Sequence, residues 1–169
     1  LNLLETSDVA ALSTGAVASL TSTQLNALTS TNLQALTTGQ NAALTTTQAS
    51  NLTSTQLNLM QTSDVAALSS AAAASLTSTQ LNALTSTNLD ALTTAQVSKL
   101  TTTQVSNLTS TQLNLMETTD LAALTTTQVV SLTAAQLDGL DATHLAALSS
   151  VASLTSTQLN AMASTNLQG

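Results

Sequence analysis

Apolar residues recur along this chain every eight positions. Leu or Met stands at residues 4, 12, 20, 28, 36, 44, 52 and 60, and the series runs on to Met162. Leu76-Thr77-Ser78-Thr79-Gln80-Leu81-Asn82-Ala83 shows the unit, L-T-x-x-Q-L-x-A. Twenty-one units tile the sequence, and one of them, residues 148–153, is shortened to six. Counted from that Leu, position 2 is mostly Thr or Ser. Position 5 is Gln in 11 of the 20 full units, Asn in three (Asn32, Asn88, Asn166) and Asp in three (Asp8, Asp64, Asp120). Position 6 is Leu or Val in 17, the exceptions being Asn41, Ala49 and Ala73.

Three backbone conformations compete for this pattern. In one long helix each residue advances about 100°, so eight residues leave the Leu stripe rotated by about 80° per unit, and it cannot face one core. In a strand, successive side chains alternate faces, so positions 1 and 6 point opposite ways. A β-solenoid absorbs that with bends that recruit Gly, and the chain has four Gly.

A short helix fits best. Thr at position 2 followed three residues later by Gln is a capping box: the hydroxyl accepts from the position 5 N–H, and the Gln side chain reaches back to the position 2 N–H. Leu at position 1 and Leu or Val at position 6 form the hydrophobic staple of the same motif. The pattern therefore predicts helix over positions 3 to 8, ended and restarted at each new cap. A helix shorter than ~12 residues is marginal alone. A cap contributes on the order of 1 kcal/mol, and a buried Leu about 1.5–3 kcal/mol. Units must therefore stack. The expected fold is all-α: an α-solenoid of roughly two-turn helices, with a core of positions 1 and 6 lined by small residues at position 8.

A longer period overlies the unit. Leu1-Asn2-Leu3-Leu4-Glu5 recurs as Leu57-Asn58-Leu59-Met60-Gln61 and as Leu113-Asn114-Leu115-Met116-Glu117, a spacing of 56 residues or seven units. Residues 1–56, 57–112 and 113–169 are thus three tandem blocks. The expectation is one repeat domain over 1–169, an excerpt of a longer chain. Two units per layer would put successive blocks on opposite faces, whereas three and a half per turn would make a block two full turns. A coil of three to four units is expected.

Composition narrows function more than fold. The 169 residues include no Cys, Trp, Tyr, Phe or Pro, one cation (Lys99), one His and eight acidic residues, for a net charge of −7. Nucleic acids and anionic membranes are gripped by cations, so neither is an expected partner. Without Cys there is neither a disulfide framework nor a thiolate metal site. No apolar run approaches the roughly 18 residues of a membrane span.

Few residues are candidates for chemistry. His144 stands where Gln usually stands, with Asp141 and Asp138 three and six residues earlier. That trio is a conceivable metal or proton site, but the cap at Asp141 separates its members, and His144 reads better as a polar cap partner. Glu5 with Asp8 and Glu117 with Asp120 are paired carboxylates of the kind used in acid–base work or Ca²⁺ binding. The middle block has Gln61 with Asp64 and loses half that charge, so these units read as a specialised corner whose acids favour a helix N-terminus. Thr-Ser-Thr arrays suit an ice-binding face only on strands. Asn51-Leu52-Thr53 and Asn107-Leu108-Thr109 match the N-glycosylation pattern incidentally. No phosphate loop, dinucleotide fingerprint or zinc spacing appears. No catalytic, cofactor-binding or metal-ligating residue is therefore assigned, no cofactor is expected, and the chain is not expected to be an enzyme.

At Leu92-Thr93-Thr94-Ala95-Gln96-Val97 and Leu124-Thr125-Thr126-Thr127-Gln128-Val129 the chain resembles the L-T-T-x-Q repeats of very large secreted or surface proteins of Gram-negative bacteria. That resemblance implies an extracellular structural, adhesive or filament-forming role. The sequence-level expectation is a structural repeat protein, an extracellular solenoid, filament, tube or sheath that self-associates end to end or laterally. An adhesin or ice-binding surface with a glycan or surface ligand is the alternative.

Overall fold

Each Thr at position 2 restarts a helix. In the computed structural model, which describes residues 3–162, Thr77 is extended (φ −73°, ψ 155°) and its side chain accepts from the Gln80 N–H. Gln80 Oε1 in turn accepts from the Thr77 N–H at 2.6 Å. Helix Ser78–Asn82 follows. The same reciprocal box opens helices Thr46–Asn51, Ser54–Leu59, Thr102–Asn107 and Thr126–Ser131, among others. Among the described residues there are nineteen such α-helices, one 3-10 helix and no strand. The helices hold four to six residues, so several stop before position 8. In the six-residue helices the next Leu is the stop: Leu52 turns to φ −59°, ψ 140°.

Positions 1 and 6 form one continuous core, from Val9 and Val17 through Leu81 and Leu84 to Leu148 and Leu154. The three exceptions at position 6, Asn41, Ala49 and Ala73, are buried as well. Position 8 departs from expectation. Ala27, Ala83 and Leu115 are exposed, and Ala43 and Ala67 half-buried. The third inward-facing position is 5: Gln40, Gln48, Gln80, Gln96, Gln128 and their equivalents are buried polar side chains. The lining of the Leu core is therefore amide rather than small alkyl, and position 8 lies at its rim.

Helices pack on the third helix along the chain, as Thr46–Asn51 does on Ser70–Ser75 and Thr102–Asn107 on Thr126–Ser131. Side-chain bonds between turns span 24 to 31 residues and centre on 28. Twenty-eight residues are three and a half eight-residue units, so each unit straddles the joint between two units of the turn below. Seven units then make two whole turns, which explains the 56-residue block: residues one block apart face the same way, two turns apart.

The short unit fits this scheme. Its residues form the 3-10 helix Val151–Ser153. The inter-turn bonds of Gln158 then span 28 and 26 residues, where Gln40 spans 30 and 28. The two-residue deletion is absorbed within one unit, and the stacking register survives.

Turns approach closely enough to select side chains at position 8. A Cβ added at Gly139 would lie 2.6 Å from Cβ and Oγ of Ser110, one turn below. Gly139→Ala should destabilise the protein by about 1–3 kcal/mol, the usual range for overpacking, measured as a shift in the urea midpoint. Elsewhere in a helix Gly→Ala stabilises by up to about 1 kcal/mol, so the sign itself is the check.

Candidate functional site

The feature with the most chemistry is a ladder of side-chain amides joining turn to turn. Gln80 serves both ends of it. Its Oε1 completes the cap of its own unit, and its Nε2 donates to the carbonyls of Ala49 (2.9 Å) and Leu52 (2.6 Å) in the turn below. Gln48 does the same to Val17 and Leu20, both at 2.8 Å. Gln96, Gln128 and Gln136 repeat the arrangement with Val65 and Leu68, Val97 and Leu100, and Val105 and Leu108. The accepting carbonyls lie at a helix end and the following cap, where intrahelical partners run out. The position 6 carbonyl already accepts from the next position 1 N–H, as Ala49 does from Leu52 at 3.3 Å. For the position 1 carbonyl the Gln amide supplies the missing donor, as buried backbone groups require.

Two compensations show how strictly those bonds are kept. Asn88 is one methylene shorter than Gln. Its Nδ2 still reaches Leu57 (2.9 Å) and Met60 (3.4 Å) below, and its own unit has no reciprocal capping box. The orphaned Thr85 N–H donates instead to Oδ1 of Asn58, one turn earlier, at 2.9 Å. The second case is Asp141, whose N–H donates to Asn114 Oδ1 at 3.1 Å. Asn58 and Asn114 stand at position 7 and also bond forward, to the carbonyls of Ala83 and Gly139. Asn26 makes the same forward bond to Asn51. Its buried Oδ1 has no partner, because the Thr53 N–H that the register places there is already held by Gln56.

Residues 2–38, 58–94 and 113–150 each match the ALTTAQ repeat. The chain belongs to the ALTTAQ repeat family. The three matches fall once in each 56-residue block and in nearly the same phase, so the ALTTAQ match follows the block as well as the unit. No curated protein and no solved structure gives a significant match.

The ALTTAQ unit carried a signal for the ladder. A cap alone accepts Glu as readily as Gln, yet position 5 is Gln or Asn fourteen times and never Glu. A requirement for a donor explains that choice, since an ionised carboxylate only accepts. The exceptions are Ala16 and Ala72, which bring no side-chain donor, His144, and three Asp residues. Asp8 is in the first described turn and exposed; its Oδ2 accepts from the Glu5 N–H at 3.4 Å. Asp64 is buried. Burial pushes its carboxyl up, while hydrogen bonds from the Asn41 side chain and the Gln61 backbone pull it down. Asp120 is 3% exposed. Burial pushes it up to about 6, and the charges of Glu117 and Asp90 push the same way.

The remaining candidates resolve simply. His144 Nδ1 lies 2.7 Å from Asp141 Oδ1, and the same oxygen accepts from the His144 N–H at 2.9 Å. These bonds hold the Asp141 carboxyl below its ordinary range. The pair is a cap, while Asp138 belongs to the preceding helix Ala134–Gly139. Among the described residues no group of three or more His, Cys, Asp or Glu could hold a metal ion. Asn51 and Asn107 are exposed last residues of their helices and donate to the carbonyls of Thr47 and Thr103. Asn166 lies outside the described residues. No helix among the described residues is long and apolar enough to cross a membrane.

Proposed function

We propose that this chain is a non-catalytic structural element, a rigid extracellular or cell-surface solenoid that serves as a spacer or filament segment. The observation that supports it is the ladder. Each turn presents to the next the same row of carbonyls, and each turn carries the amides that fill such a row. A surface built of Thr, Ser, Asn and Gln with one cation and eight acids offers little charge repulsion between copies, and repeat arrays whose ends lack polar caps associate through them. Self-association, end to end or lateral, is therefore part of the proposal. Negative-stain electron microscopy of the purified protein should show narrow rods that lengthen as blocks are added and that join into longer filaments. Dispersed monomers at every concentration would remove the filament reading.

A glycan-binding surface is the second reading, favoured by the exposed residues Thr23 and Thr31, which stand outside the caps of neighbouring units. Binding on a glycan array would support it. The ice-binding version needs a flat strand face, and the described residues contain no strand.

A further inference from the structure

At Asp120 the ladder has a buried rung that carries no donor in its ionised form. The inter-turn register of Gln128, 31 and 28 residues, holds on both sides of Asp120. It places the carbonyls of Leu89 and Leu92 beneath the Asp120 carboxyl. One block earlier, the equivalent position under Asp64 is served by Asn41, whose Nδ2 donates to Leu36 (3.3 Å) and Thr37 (3.1 Å) and which also bonds Asp64. Val97 stands in the place of Asn41 under Asp120, and an alkyl side chain offers no donor. A neutral carboxyl has one O–H to give.

We propose that Asp120 is a proton-operated rung: protonated, it donates its one O–H to a carbonyl of the preceding turn, that of Leu89 or Leu92, and its ionisation releases that joint of the solenoid.

The surroundings favour the proton. Glu117, in the same unit, and Asp90, one turn below, both raise the cost of a charge on Asp120, after burial itself. Helix Thr118–Ala122, which carries Asp120, packs on Thr94–Val97 and on Ala142–Ala147. Thr94–Val97 brings no charged side chain, and Lys99 follows it by two residues. Ala142–Ala147 brings His144, whose ring is held by Asp141. A carboxyl whose pKa is higher folded than unfolded contributes stability that is fully present below the unfolded value of 3.8 and is lost as pH rises through about 6. The joint is therefore tight in acid and loose at neutral pH. Asp64 should respond less, because Asn41 already supplies a donor there.

The test compares the protein with Asp120→Asn, Asp120→Ala and Asp64→Asn by urea unfolding between pH 4.5 and 7.5, with the Asp120 carboxyl followed by ¹³C NMR. Asn88 makes the rung with the same side-chain length, so Asp120→Asn is a permanent rung. The folding constant of the unaltered protein should fall roughly tenfold to thirtyfold, relative to Asp120→Asn, across that range. Asp120→Ala should be less stable than Asp120→Asn at both ends. The shift for Asp64→Asn should be smaller. Parallel pH profiles for the protein and Asp120→Asn, or a carboxyl titrating near 3.8, would overturn the proposal. Equal stability of the Asn and Ala variants would reduce the effect to charge repulsion and overturn the rung.

Discussion

Gln80→Glu is expected to destabilise the solenoid by about 2–5 kcal/mol at pH 7, although it replaces only an amide by a carboxylate. A buried carbonyl left without its donor costs about 1–3 kcal/mol; Leu52 would lose its donor outright, while Ala49 would keep only the Leu52 N–H. The new charge would sit 5% exposed against both oxygens, where an unpaired ion is costly. The cap would survive, because the carboxylate can still accept from the Thr77 N–H as Oε1 does now. Gln80→Asn should be far milder, since Asn88 bridges the turns at this length. Losing less than about 0.5 kcal/mol in Gln80→Glu, by urea unfolding, would mean that the residue is only a cap. Part of the loss should return in acid, when the carboxyl regains one O–H donor.

The other large effect belongs to the core. Leu81 is 0% exposed, and Leu81→Ala should cost about 2–5 kcal/mol, the range for a buried Leu that leaves a cavity. Ser78→Ala, three residues earlier in the same helix, should change stability by less than about 0.5 kcal/mol, because position 3 is only partly covered. The comparison is made within one helix, so differences in helix content cannot account for it. Equal losses at the two sites would mean that the assignment of inward and outward faces is wrong.

These two residues mark what the sequence reveals and what it hides. Leu81 and the Thr77–Gln80 box are legible because a staple and a cap act over three to five residues, and the eight-residue pattern repeats them in fixed register. The second half of Gln80's role is not local. Its partners are 28 and 31 residues away, beyond any helical period. The absence of Glu at position 5 was the available sign, and it becomes readable once the cap is recognised as tolerating Glu. Position 8 was misplaced for a related reason. Ala there is consistent with core lining or with a crowded rim, and only the turn spacing, felt at Gly139 against Ser110, separates the two. The 56-residue block was visible as a repeat. Its cause, two turns of three and a half units, needed the bonds between turns.

For the acidic units the pairing is legible along the chain and the environment is not. Glu5 and Asp8, Gln61 and Asp64, and Glu117 and Asp120 look alike along the chain. The turn below distinguishes them. Asn41 supports Asp64, whereas Asp90 opposes a charge on Asp120.

The claim on which the rest depends is that a turn holds 28 residues and is closed by the position 5 amides. Nuclear Overhauser contacts from the Gln80 Nε2 protons test it most directly. They should reach Ala49 and Leu52, with Gln96 reaching Val65 and Leu68 in the same way. Contacts instead to residues about sixteen positions earlier, the spacing of a two-unit layer, would contradict the turn and the ladder together.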